Sequence, residues 1–109
     1  MDGTELSARL AIQIAIGLMN ENEECDELRE LVEKARLLGL TGAEIGAAKG
    51  GRSFDVRDAK AMALSRAYRD GSLDAISLHE RIAIDAGLSE DQVRLVKRIV
   101  EAHILRRDH

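Results

Sequence analysis

An eleven-residue phrase occurs twice in this chain, 48 positions apart. Ala35 to Ile45 reads A-R-L-L-G-L-T-G-A-E-I, and Ala83 to Val93 reads A-I-D-A-G-L-S-E-D-Q-V. Both obey A-x-x-x-G-L-[S/T]-x-x-[E/Q]-[I/V]. The glycine (Gly39, Gly87) can take a left-handed conformation and end a helix. The leucine after it (Leu40, Leu88) can fold back on that helix's apolar side. The hydroxyl residue (Thr41, Ser89) caps the next helix, and the acid or amide three positions on (Glu44, Gln92) completes a capping box. The phrase therefore predicts two helix-turn-helix corners of one design, in an all-α bundle built from two related halves.

The remaining pattern fits about six helices. Thr4 or Ser7 opens the first, which runs to about Met19. Leu10, Ile12, Ile14, Ile16, Leu18 and Met19 cover almost every side of it, so it must be buried, in the core or in a subunit interface. The alternation of Ile12, Ile14 and Ile16 would also suit a strand; the neighbouring alanines favour helix. A polar, acidic turn from Asn20 to Glu24 follows. The second helix carries Leu28, Leu31, Val32, Ala35 and Leu38 inward, with Glu30 and Lys34 as an outer i,i+4 pair. Thr41 starts a short third helix that ends at Gly50 and Gly51. Ser53 or Asp55 caps a fourth, to about Arg69, with Val56, Ala59, Met62, Ala63 and Ala67 inward. Asp70, Gly71 and Ser72 make a turn. Ser77 with Glu80 reads as the capping box of a fifth helix that stops at Gly87. The last starts at Ser89, with Val93, Val96, Ile99, Val100 and Ile104 inward.

At 109 residues the chain suffices for a single domain over 1–109 with one modest core. Its alanines favour helix but bury little area each. Such a thin core is expected to be completed by a homo-oligomer. No leader pattern is evident, and the most apolar stretch, Leu10 to Met19, is too short to span a bilayer. The expectation is a soluble, cytoplasmic protein. A net charge of −4 with only Phe54 and Tyr68 as aromatics argues against nucleic acid. The basic residues Arg94, Lys97, Arg98, Arg106 and Arg107 read as a solvated helix face. A single cysteine, Cys25, excludes an internal disulfide, and no Cys/His set has metal spacing. No cofactor is expected.

The repeated corner, with Ala47-Ala48-Lys49-Gly50-Gly51-Arg52-Ser53 and Asp55-Val56-Arg57-Asp58-Ala59, resembles the AhpD-like group, the alkylhydroperoxidase D and carboxymuconolactone decarboxylase superfamily. The similarity runs from about Leu10 to Ile104. It implies an all-helical fold assembling as a trimer, hexamer or related oligomer such as a dimer. In the peroxidase branch a helix begins with C-x-x-C and carries a His one turn later. One thiolate attacks the peroxide, the second resolves the sulfenic acid, and Glu and His residues move the protons. Counting back from Gly39 puts the thiol positions at Glu24 and Glu27 and the His position at Leu31. Counting forward through Asn20 puts them at Asn22 and Cys25, with Arg29 at the His position. Neither register holds the thiol pair or the His, so the two-thiol cycle cannot run within one chain. Glu27-Leu28-Arg29 matches a piece of decarboxylase-like members, again without the His.

The candidate catalytic residues are Cys25, Glu24, Glu27 and His103. Cys25 stands at a helix start, which favours a thiolate, while Glu23, Glu24, Asp26 and Glu27 oppose it. It is either a single-thiol peroxide reductant, resolved by an external thiol, or an incidental free cysteine. Glu24 and Glu27 share a helix face and could act as an acid/base pair on a small-molecule substrate; equally, the acids only complement the helix N-terminus. His103 lies on the apolar stripe of the last helix, as a proton carrier or as a packed, hydrogen-bonded residue. His79 and His109 have no partner at ligand spacing. Gly50-Gly51-Arg52-Ser53 could bind an anion but lacks nucleotide-loop spacing and reads more simply as a hinge. The activities left open are a residual single-thiol antioxidant, a non-redox small-molecule binder or decarboxylase-like enzyme, and an inactive oligomeric scaffold.

Overall fold

The structure, a computed structural model, describes residues 6–19 and 25–107. Among these residues the chain forms six α-helices and no strand. They are α1 (Ala8–Leu18), α2 (Asp26–Leu37), α3 (Gly42–Lys49), α4 (Val56–Asp70), α5 (Leu73–Asp85) and α6 (Glu90–Arg107). Thr4, the expected turn at 20–24, His109 and the side chains of Arg106 and Arg107 lie outside the described residues.

Both predicted corners form, and they close through the same bonds. Gly39 N–H donates to Arg36 O and Leu40 N–H to Ala35 O, each at 3.0 Å; Gly87 to Ile84 and Leu88 to Ala83 repeat the pair at 3.0 Å. Such bonds satisfy the carbonyls that a helix end leaves bare. They require positive φ at the glycine, which is +91° at Gly39 and +113° at Gly87. The leucines then turn inward to 5% and 3% exposure, over Ala35 and Ala83, which are wholly buried. Any larger side chain at the two alanines would push the leucines out. Each capping box is complete. Glu44 N–H donates to Thr41 Oγ1 at 3.1 Å and Thr41 N–H to Glu44 Oε1 at 2.9 Å. Gln92 N–H and Ser89 N–H make the equivalent bonds at 3.1 and 2.9 Å.

The repeat extends far beyond the eleven residues. Adding 48 to the first residues of α1, α2 and α3 gives 56, 74 and 90; α4, α5 and α6 begin at 56, 73 and 90. Arg9, the second residue of α1, donates to Glu44 Oε2 at 3.0 Å. Arg57, the second residue of α4, donates to Gln92 Oε1 at 2.9 Å. Each arginine thus clamps the box of its own half, and Arg9 plus 48 is Arg57. The most deeply buried side chains pair the same way: Ile14 with Met62, and Ile16 with Leu64. The molecule is therefore a three-helix unit present twice.

α1 lies at the centre. It packs against α2 and α3 of its own half and against α4 and α6 of the other, while α2 does not reach α5 or α6. Leu10, Ile14, Ile16 and Leu18 are all buried within the chain. Of the two places the sequence allowed for this apolar helix, the core or a subunit interface, these four residues take the core between its own two halves, while Ile12 is only partly buried. Where α1 crosses the end of α3, a Cβ on Gly17 would come within 3.0 Å of Met62 Cε and 3.2 Å of Ala48 O. Arg66, from α4, passes over Gly51 and donates to Gly17 O through Nε and Nη2 at 3.3 Å. Gly51 has a φ of +73°, and a Cβ there would overlap that guanidinium.

Several sequence expectations shift. α5 begins at Leu73, capped by Ser72, whose Oγ accepts from Ala75 N–H at 3.4 Å. Ser77 and Glu80 are interior to α5. Gly71, in the left-handed conformation, ends α4 and leaves Ser72 immediately in capping position, so the earlier cap wins. α1 is capped by Ser7 and α4 by Asp55. Leu38, Val56 and Ile104 are exposed, not inward. Leu38 and Val56 stand at helix ends, where the periodic stripe has run off the core. The described ion pair on α2 is Asp26 with Arg29 at 3.6 Å, both well exposed, and not Glu30 with Lys34.

Candidate functional site

Of the four sequence candidates three are described, two at the start of α2 and one on α6. Glu24 lies outside the described residues. Cys25 is the N-cap of α2, in extended conformation, and makes no side-chain capping bond. Glu27 follows in the first turn of α2, half-buried. His103 is 5% exposed on α6, with a polar interaction of its own, so it is a packed histidine. α2 packs on α1 and α3 and not on α6, the helix that carries His103.

The surroundings of Cys25 differ from its sequence neighbours. It lines a shallow groove of about 380 Å3 with Arg29, Arg36 and Lys49, and with Glu33 as the one acid. Arg29 and Arg36 come from later turns of α2 and Lys49 from the end of α3. The cluster of acids read along the sequence is thus answered in space by three cations. Cys25 is a half-buried free thiol packed against the core.

A different cavity gathers more chemistry. Between the N-terminal turn of α1, the first turn of α3 and the segment leading into α4 lies a cleft of about 460 Å3. Arg9 and Gln13 line it from α1, Glu44 from α3, and Ser53, Phe54, Asp55 and Asp58 from the approach to α4 and its first turn. Each is placed by a local rule. Glu44 is fixed by its capping box and by Arg9. Asp55 is fixed as the α4 N-cap, its Oδ1 accepting from Asp58 N–H at 2.9 Å. Ser53 Oγ accepts from Asp55 N–H at 3.2 Å. Phe54 stands 72% exposed at the rim.

The electrostatics divide the two deeper carboxylates. Glu44 is held below the usual glutamate range, first by the Thr41 backbone N–H and then by the Thr41 hydroxyl and Arg9. Asp58 is pushed above the usual aspartate range by burial first and by Asp55 second, against the opposing pull of Arg57 and Arg9. Gln13 is 95% out of solvent, at 5% exposure. Its Nε2 donates to Arg9 O at 3.1 Å, and its Oε1 accepts nothing from the protein. No buried side-chain polar atom among the described residues is unpartnered, so that oxygen opens onto the cleft that Gln13 lines. Glu44, Ser53 and Asp55 stood out in the sequence only as helix caps, and nothing in it placed them with Arg9, Gln13 and Asp58 around one cleft.

An apolar depression of about 500 Å3 lies on the outer side of α1 and α2, formed by Ala8, Ala11, Ile12, Leu37 and Leu38 with Lys34. No helix is long and apolar enough to cross a membrane, and no group of three His, Cys, Asp or Glu could hold a metal ion, among the described residues. The chain matches no family profile, no curated protein and no solved structure.

Proposed function

We propose that this chain is a non-redox, small-molecule-binding protein, and that the cleft between α1, α3 and α4 is its binding site. The observation that carries the reading is Gln13: a largely buried amide whose oxygen takes no protein donor and which lines the cleft with Asp58. A ligand N–H or O–H can take the place of water on that oxygen. The cleft's volume falls in the range of small-molecule sites.

The AhpD-like resemblance fits this reading in its non-redox form. The frame is duplicated, as the two corners implied. Counting back from Gly87, as from Gly39, puts the thiol positions of the second half at Ser72 and Ala75 and the His position at His79. That half carries the His, half-buried on α5, but a capping serine and an alanine stand where thiols would be. Neither corner can then run the two-thiol cycle. A fragment screen on 15N-labelled protein tests the reading. Compounds of any charge that bind should shift the amides of Gln13, Glu44 and Phe54; a screen in which none of these moves would reject a ligand-binding role and leave the scaffold.

One observation favours a second reading, the single-thiol antioxidant: Cys25 is a half-buried free thiol that lines an open groove with Arg29, Arg36 and Lys49. Peroxide oxidation of wild type against Cys25→Ser decides it, since equal inertness removes it. Self-association is likewise proposed, with the exposed Leu37 and Leu38 and the part-buried Ile12 as the apolar strip on the first half. Light scattering at micromolar concentration returning the mass of one chain would remove it.

A further inference from the structure

Glu44, Asp55 and Asp58 set three carboxylates against the single guanidinium of Arg9 in the cleft lining. Arg9 is partly offset within the cleft, since its Nη2 bonds Glu44 at 3.0 Å. Arg57, the next cation, is drawn away to Gln92 at 2.9 Å. The hydroxyls of Ser7 and Ser53 serve as acceptors of backbone N–H groups, from Leu10 at 3.1 Å and Asp55 at 3.2 Å. Beside the two serine hydroxyl protons and the remaining Arg9 N–H groups, the cleft offers a ligand mostly acceptors: Gln13 Oε1, the Asp58 carboxylate, which accepts no hydrogen bond from a described residue, and the second oxygen of Asp55. Phe54 adds an exposed aromatic ring at the rim, and a ring face attracts cations.

We infer that the cleft binds a small organic cation rich in N–H donors, an ammonium or guanidinium compound. This deepens the ligand-binding reading above and rests on it. An anion would meet a surplus of carboxylates. A neutral polyol could bond Gln13 but would leave that surplus uncompensated. A metal ion is disfavoured because no three ligating side chains approach one another there. Charge-assisted N–H bonds to carboxylates are the strong kind, and a guanidinium presents its donors in a fixed fork that suits Asp58 and Gln13 together.

The test is calorimetric titration of the intact chain with four probes: agmatine, putrescine, butane-1,4-diol and succinate. Agmatine and putrescine should bind at least tenfold more tightly than the diol, with no binding of succinate. Asp58→Asn should weaken agmatine at least tenfold, with the helical circular dichroism spectrum unchanged. Gln13→Leu is a second variant with the same expected direction. Independently of any variant, agmatine should shift the Gln13 side-chain amide and the Phe54 backbone amide of wild type. Diol or succinate binding at those resonances as tightly as agmatine overturns the cation assignment while the ligand-binding reading stands. Silence from all four probes overturns the assignment too, and the broader fragment screen then decides that reading separately.

Discussion

The two halves share a frame and differ at one helix end. α3 stops at Lys49, where Gly50 and Gly51 follow, whereas α6 continues through the matching positions, Arg98 and Ile99, to Arg107. The early stop in the first half lets residues 50–55 turn back across the start of α1, and the polar cleft opens there. The continuation in the second half carries Val100 and His103 into the core against α1 and α4. The same unit is thus used once for room and once for adhesion. The frame depends on short corner signals present in both copies; the cavity depends on a pair of glycines present in one.

Core substitutions should test the equivalence most severely. Leu40→Ala and Leu88→Ala each remove a leucine that closes a corner over a buried alanine, and each should cost about 2–5 kcal/mol in urea unfolding. Losses that differ by more than that range would mean that the corners share a shape but not a load. Glycine replacements come next and should separate the halves. Gly39→Ala meets open space and suffers the left-handed conformation alone, about 1–2 kcal/mol. Gly51→Ala should cost more, because its Cβ also displaces Arg66 from Gly17. If the two cost the same, the Arg66 bridge contributes nothing.

Capping changes are smaller. Thr41→Ala and Ser89→Ala should each lose about 1 kcal/mol, visible as equal shifts of the urea midpoint. The smallest effect belongs to the second half alone. Tyr68 OH donates to Glu80 Oε2 at 2.7 Å, joining α4 to α5. Burial first, then the bond to Glu80 and its charge, push the phenol well above its ordinary range. In the unfolded chain Tyr68 loses its proton near pH 10, while in the folded chain it keeps it. The native state then binds more protons, so stability falls as pH rises past about 10. Melting temperatures of wild type and Tyr68→Phe between pH 9 and 11 should converge as this contribution disappears; parallel curves would refute it.

The corners were legible because every residue that makes them lies within eleven positions, and each acts on its chain neighbours. The start of α5 was misread for a related reason. Ser77 and Glu80 have capping-box spacing, but Gly71 ends α4 so close to Ser72 that a helix is already running when Ser77 is reached. The exposure of Leu38 depends on where α2 leaves the core, which its own periodicity does not encode. The cleft was illegible because its lining joins three separated stretches, around Arg9, Glu44 and Asp55. The setting of Cys25 reversed for the same cause: Asp26 and Glu27 are neighbours in the chain, whereas Lys49 arrives from another helix.

The bond from Arg66 to the Gly17 carbonyl has one more consequence. It ties the tail of the first helix to the middle of the fourth across the seam between the duplicated units. Neither unit encloses α1 alone, so a fragment cut at the intervening loop would expose an apolar helix that its partner fragment is shaped to cover. The packing of α1 on α4 and α6 makes each unit depend on the other, so the intact chain is expected to melt in one step.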